Sequence, residues 1–252
     1  MEQEKAGSRR IFLSVAYDGT NYHGWQLQPG AVTIESELNR ALTELLGEEI
    51  RVIGASRTDT GVHALCNAAV FDTVSRIPAE KFVYALNQRL PEDIRIQDSK
   101  EVALDFHPRH TPSRKTYEYR IYNARFPMPT KRLYSFFTYA KLDAEAMARA
   151  GALLEGEHDF KSFCSVNTQA ETTVRTIYRV EVRRESDDII IRITGSGFLY
   201  NMVRIIAGTL LEVGQGKRRP EDITSILAAC DRGAAGPTAP ACGLTLTAYE
   251  FL

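Results

Sequence analysis

Alternation with a period of two is the feature that most limits the fold of this chain. Over residues 10–17, Ile11, Leu13, Val15 and Tyr17 fall on one side, the spacing of a strand with one buried face. Asp18-Gly19-Thr20 then interrupts the pattern. The next apolar set, Ile34, Leu38, Ala41, Leu42, Leu45 and Leu46, has helical spacing, and Gly47 stands where a C-terminal cap belongs. Residues 50–55 read as a short strand and 64–74 as a longer one. Pro78 opens a helix as its first residue, running through Phe82, Leu86 and Leu90, and 94–102 return as a strand. A second round of the same element types follows. Residues 116–122 alternate, and Asp143 caps a helix through Met147, Ala150 and Leu154 that ends near Gly156. Residues 173–184 and 189–194 flank a turn at Glu185-Ser-Asp-Asp188. Residues 199–213 and 220–230 are helical, the second opened by Pro220, and 243–251 close as a strand. Strands outnumber helices and look mostly antiparallel, so the expectation is an α+β fold rather than a doubly wound sheet. Two halves of comparable element order, 1–105 and 106–252, divide near 103–113, with no convincing sequence repeat. Residues 233–240, rich in Gly, Ala and Pro, read as a flexible loop.

Composition narrows the function classes. Of 252 residues, 44% are hydrophobic and 25% charged, an ordinary globular balance. No run of eighteen apolar residues occurs, which argues against a membrane-spanning helix. The start of the chain, Met1 to Arg10, is polar, so a secretory signal is not expected and a cytoplasmic location is. Cys66, Cys164, Cys230 and Cys242 lie far apart without a CxxC pair, which supports neither a zinc site nor a disulfide framework. Cys164 as a nucleophile is weaker than Cys164 as a buried thiol. A net charge of −1 argues against indiscriminate nucleic-acid binding but leaves room for a local basic face. Arg109, His110, Arg114 and Lys115 cluster, as do Lys131 with Arg132, and Lys217 with Arg218 and Arg219. Any one such cluster is more often a solvated surface than a phosphate site.

The stretch with most chemical content is Gly54-Ala-Ser-Arg-Thr-Asp-Thr-Gly-Val-His-Ala64. It puts Asp59 two residues from Arg57 and four from His63, with Gly61 allowing a tight bend. A guanidinium beside a carboxylate favours its ionised form, and an ionised carboxylate can attack a sugar carbon or take a proton without a cofactor. The same residues also make an ordinary Asx turn. Asp59 with His63 supplies two ligands for a metal and no evident third, so no metal is expected. Arg204 sits in an otherwise apolar helical stretch, where a lone cation is costly unless paired; an ion pair with Asp59 is one resolution and a position at the helix edge another. Tyr117, on an alternating strand, is either a half-buried sheet aromatic or a ring for stacking on a base.

Taken together and in order, these motifs resemble the tRNA pseudouridine synthase A (TruA) family over nearly the whole chain. The resemblance rests on Tyr17-Asp-Gly-Thr20 with Gly24-Trp-Gln26, and on Arg57-Thr-Asp59 with Gly61-Val-His-Ala64. It continues in Asn87 with Leu90-Pro91, Phe106-His-Pro-Arg109, Lys115, Tyr117 and Tyr119. The second half adds His158-Asp-Phe160, Phe198-Leu-Tyr-Asn-Met-Val-Arg204, Ala239-Pro240 and Gly243-Leu244. Ser56 and Thr60 stand where the family more often has glycine and alanine. The resemblance implies a pseudouridine synthase fold with a central cleft and isomerisation of uridine to pseudouridine at nucleotides 38, 39 and 40 of the tRNA anticodon stem-loop. It also implies no catalytic cofactor and a homodimer. It assigns Asp59 as catalytic and Tyr117, Arg57 and Arg204 as substrate-binding. Arg109, Arg114 and Lys115 are further RNA-binding candidates, whereas His107 and His110 either touch the RNA backbone or pack. Breaking the glycosidic bond needs an anionic group at C1′ or a base for a sugar proton, and one carboxylate serves either route. A target inside a stem must first be unstacked, at roughly a few kcal/mol. Arg57 is the candidate to fill the space it leaves, and a purely local ion pair is the plainer role for that side chain. Two other classes compete. One is a non-catalytic tRNA-binding or folding protein on the same scaffold, against which the retained Asp59 argues. The other is a glycosidase-like enzyme, for which a second carboxylate is missing.

Overall fold

The computed structural model describes residues 7–166, 168 and 170–252; the polar stretch 1–6, on which the signal-peptide expectation partly falls, lies outside them. The chain forms two compact units, residues 1–112 with 251–252, and residues 113–250.

In the first unit, β1 (Arg9–Tyr17) is central between β3 (His63–Thr73) and β4 (Ile94–Val102), antiparallel to both. The two-residue β2 (Ile53–Gly54) pairs antiparallel with β3. The alternation read in residues 10–17 is a buried face: Ile11, Leu13 and Val15 are fully covered. Helix α1 (Ile34–Leu46) packs Ile34, Leu38, Ala41 and Leu42 into the interior. Thr33 and Ser36 cap its start reciprocally, each side chain accepting from the other's backbone N–H at 3.2 and 2.9 Å, and Gly47 ends it in the left-handed conformation at φ 70°. Helix α2 (Phe82–Asn87) follows a 3-10 turn, Ala79–Lys81, so Pro78 precedes the helical segment rather than opening it. The Asn87 amide both donates to and accepts from the backbone of Ile96 on β4, at 2.9 and 2.8 Å. Phe71 and Phe82 meet edge-on, centroids 5.3 Å apart. On the other face of β1, Phe12, Phe106 and Phe251 form a second edge-on cluster.

In the second unit, β5 (Ser113–Asn123), β9 (Asp188–Gly195), β8 (Val174–Glu185) and β7 (Gly156–Asp159) form an antiparallel run, with β10 (Leu244–Phe251) on the other side of β5. Short β6 (Phe136–Thr138) pairs parallel with the end of β5. Helix α3 (Ala144–Ala152) is capped by Asp143, whose carboxylate accepts from Ala146 N at 2.9 Å. Helix α4 (Met202–Gly214) is buried almost throughout, and α5 (Asp222–Ala229) is partly so. Both units are mixed α+β with mainly antiparallel strands, as the sequence pattern indicates. No helix is long and apolar enough to cross a membrane.

Three expectations change. The strand expected over residues 50–55 shrinks to β2, because side chains hold the flanking backbone: Ile50 N donates to Thr43 Oγ1, Val52 N to Asn39 Oδ1 and, just past the segment, Ser56 N to Asn67 Oδ1. Helix α4 starts at Met202 rather than residue 199, because Asn201 takes φ 60° and a helix cannot pass through that conformation. Residues 233–240 are bound down rather than loose. Gly236 N donates to Thr209 Oγ1, Arg232 reaches the carbonyls of Ala235 and Gly236, and Ala235 and Ala239 are buried.

Candidate active site

The Asp59 loop leaves β2 at Gly54 and returns as β3 at His63. Its tip is a turn in which Val62 N donates to Asp59 O at 3.1 Å and Gly61 takes φ 78°. What holds the loop is a buried polar brace beneath it. Thr58 and Ser56 are buried. Thr58 Oγ1 lies 2.7 Å from the Tyr17 hydroxyl, and Asn67 Nδ2 donates both to that hydroxyl, at 3.1 Å, and to Ser56 O, at 2.9 Å. Burial pushes the Tyr17 phenol well above the ordinary tyrosine range despite these bonds, so it is a neutral strut. Trp25 N donates to Thr58 O. At Gly24 φ is 80°, and a Cβ there would lie 2.5 Å from Thr58 O; only glycine fits so close to the loop in that conformation. A Cβ at Gly54 would likewise strike the Trp25 indole at 2.1 Å. Asp59 is half-buried and Arg57 exposed above this floor.

His63 serves the opposite side of the loop. It is buried, and its Nδ1 faces Asp18 Oδ1 and Gly19 N, both at 3.1 Å. The ring therefore ties the Asp18 turn to β3. Among the described residues no group of three or more His, Cys, Asp or Glu is placed to hold a metal.

Arg109 reaches the base of the same loop, its Nε donating to Gly54 O at 2.7 Å. Its pKa is lowered, first by burial and then by the charge of Arg57. The unit thus brings Asp59, Arg57 and Arg109 to one loop.

Tyr117, Arg204, Arg114 and Lys115 belong to the second unit. Tyr117 lies on β5 opposite Ile193, is 8% exposed and meets the ring of Phe198 edge-on at 5.2 Å. Arg204, in the first turn of α4, donates from Nε to Ala239 O at 2.8 Å and from Nη1 to Asn201 Oδ1 at 2.9 Å. Its own carbonyl accepts from Ala239 N. These acceptors offset the cost of placing a cation on an apolar helix, and Asn201 is itself fixed to Ser165 Oγ at 2.8 Å. Nearby, Tyr119 donates to Pro240 O at 2.9 Å. Arg114 lies over the Tyr178 ring and Lys115 over that of Tyr249, about 5 Å from each centroid.

The other basic clusters are partly neutralised within the unit. Lys131 pairs with Asp188 at 2.6 Å, Arg218 with Glu212 at 2.6 Å and Arg219 with Asp222 at 3.2 Å. Cys164 is buried, its thiol directed to Ser165 O. The sequence reading missed the braces: Tyr17, Asn67 and Trp25 under the acid, Asn201 and Ala239 around Arg204. One signal was available, since Asn67 is an amide inside an apolar strand and needs buried partners.

A family model described as tRNA pseudouridine synthase matches residues 13–110 and 150–251. A protein named tRNA pseudouridine synthase A from Acetivibrio thermocellus is 50% identical over 243 residues, covering 96% of this chain and 100% of that protein. One of the same name from Caldicellulosiruptor bescii is 49% identical over 238 residues, 94% of this chain and 98% of that protein. Among solved structures, a chain of an archaeal box H/ACA sRNP Nop10–Cbf5 complex aligns with 80% of this chain and 44% of its own, at 13% identity and a TM-score of 0.34, too low a likeness to carry weight.

Proposed function

This chain belongs to the tRNA pseudouridine synthase family, and we propose that it isomerises uridine to pseudouridine at nucleotides 38, 39 and 40 of the tRNA anticodon stem-loop. The observation that carries the reading is near-full-length identity to proteins of that name, with Asp59 set on a loop braced from below. In the reaction the bond between C1′ and N1 breaks, with the electron pair leaving on the uracil. The base turns and C5 joins C1′. The proton at C5 is lost and N1 takes one up, so no atom is gained or lost overall.

Asp59 is the catalytic residue. Attack on C1′ and removal of a ribose proton are the two routes open to one carboxylate, and both require an ionised oxygen held at a fixed place. The Tyr17–Thr58–Asn67 brace supports that role. Tyr117 offers a ring against which the uracil packs, Arg204 a fixed positive charge, and Arg57 a planar cation to stand in the stack where the uridine was. Arg109, Arg114 and Lys115 bind the RNA backbone. By this reading the half spanning 1–105 supplies the acid, the half spanning 106–252 supplies Tyr117 and Arg204, and the enzyme acts as a cytoplasmic homodimer without a cofactor.

Asp59→Asn is expected to keep tRNA affinity within about twofold of wild type, since only a charge at the reacting centre changes, and to release no tritium from tRNA labelled at uridine C5. Normal release by that variant would remove Asp59 from the chemistry. A wild-type protein that binds tRNA yet releases no tritium would be the non-catalytic binding protein.

A further inference from the structure

Several cations of this chain are matched by acids. Arg10 chelates Asp72 at 2.7 Å from two nitrogens, Arg40 bridges Glu37 and Glu44, and Arg192 meets Glu118. Lys131, Arg218 and Arg219 are paired as described above. Arg57 and Arg109 are not among them. Neither forms an ion pair with a described residue; Arg57 stands on the Asp59 loop and Arg109 bonds the base of it. The charge of Arg57 opposes that of Arg109, a repulsion that a bound anion relieves.

The setting adds direction. Arg109 is anchored through Nε to the carbonyl of Gly54, the last residue before the loop. That bond uses the inner nitrogen, so both Nη groups remain for an outside acceptor. Its neighbours on the chain are the imidazoles of His107 and His110, ring centroids 4.2 Å apart, and the pKa of His107 is depressed by burial and by the surrounding positive charges. The carboxylate felt at Arg109 is that of Glu35, whose Oε2 accepts from Leu27 N and makes no ion pair with the arginine. The only other acid of the loop, Asp59, is the one the proposed chemistry uses.

We propose that Arg109, with the charge of Arg57 acting on it, is a phosphodiester-binding point that grips the RNA strand next to the nucleotide presented to Asp59. A guanidinium fork matches two phosphate oxygens, and a fork already fixed at one nitrogen gives up little freedom on binding. The proposal rests on the RNA-modifying function above and deepens it: of the basic residues, Arg109 is the one that reads the position of the strand rather than adding general attraction.

The test uses the full-length protein and tRNA transcripts carrying one neutral methylphosphonate linkage at a time through the anticodon stem-loop. Wild type is expected to lose about tenfold in affinity at one linkage or two adjacent ones, the scale of a charge-assisted hydrogen bond. Arg109→Gln keeps a donor for Gly54 O and removes the charge. It is expected to bind unmodified tRNA about tenfold more weakly, to be indifferent to the neutral linkage at that place, and to lower the slope of log K against log[salt] by roughly 0.7–0.9. Arg109→Lys, which retains charge without the fork, is expected to recover the salt slope and not the linkage sensitivity. Equal linkage sensitivity in wild type and Arg109→Gln, or an unchanged salt slope, would overturn the proposal. Tritium release by wild type on unmodified tRNA is read in parallel: its absence would refute the function, whereas its presence with an indifferent Arg109 would refute only the phosphate site.

Discussion

At the residue scale, the acid owes its placement to neutral groups. Tyr17→Phe removes one hydroxyl and leaves Thr58 Oγ1 and Asn67 Nδ2 short of a buried partner. Unfolding in urea is expected to show a loss of about 1–3 kcal/mol, and turnover is expected to fall more than tRNA affinity, since the loop that carries Asp59 loosens while the exposed arginines remain. Equal losses in both would mean that the brace acts only on the fold. Gly24→Ala is expected to be worse. It forces φ 80° on a side chain whose Cβ would meet Thr58 O at 2.5 Å, a cost of at least about 1–2 kcal/mol from the left-handed backbone alone. Thermal melting and tritium release together check it.

At the element scale, the caps and periodicities were legible in the sequence and the side-chain substitutions for backbone ladders were not. Helix α1 begins and ends where its apolar spacing and Gly47 place it. Asp143 caps α3 as read, and β4 runs from Ile94 to Val102. These signals are local, written in spacings of two, three and four. The short strands β6 and β7 carry too few residues to show a period. The misjudged segments share a cause: at residues 50–55, 199–201 and 233–240 the chain is shaped by side chains outside the segment, Asn39 and Thr43, Ser165, and Thr209. The same holds for the site. Asp59, Arg57, Tyr117 and Arg204 were nameable from motifs, whereas their supports depend on tertiary packing. Ser162 illustrates such a tie, its buried hydroxyl donating to Ile226 O at 2.6 Å and accepting from Asp231 N at 2.9 Å. Ser162→Ala is expected to lower stability by about 1–3 kcal/mol, seen as a lower urea midpoint with turnover preserved in the folded fraction.

At the scale of the whole molecule, a net charge of −1 means that attraction for a polyanion comes from a few placed cations rather than from a general field. Some basic side chains, Arg10, Arg40, Lys131 and Arg192 among them, are already matched by acids, which takes them out of the set that displaces counterions on binding. The affinity for tRNA is therefore expected to fall with salt along a shallow line, with a slope set by a handful of phosphates. Filter binding between 50 and 200 mM potassium chloride, concentrations of roughly the range over which such slopes are read, measures it. A steep line would mean that many more cations than those around Asp59 take part.

The segment that lies along α4 has a last consequence. A Cβ at Gly208 would sit 1.8 Å from the carbonyl oxygen of Pro237, and two residues later Ala239 bonds Arg204 through both its N–H and its C=O. Backbone rests on backbone there, and the count of residues onward to β10 is set by that seating. Gains and losses of single residues over evolutionary time are therefore expected at the exposed Ser186 hairpin or in the 124–128 connection, and to be absent from 235 to 243. In an alignment of relatives, that stretch is expected to serve as a gauge of constant length.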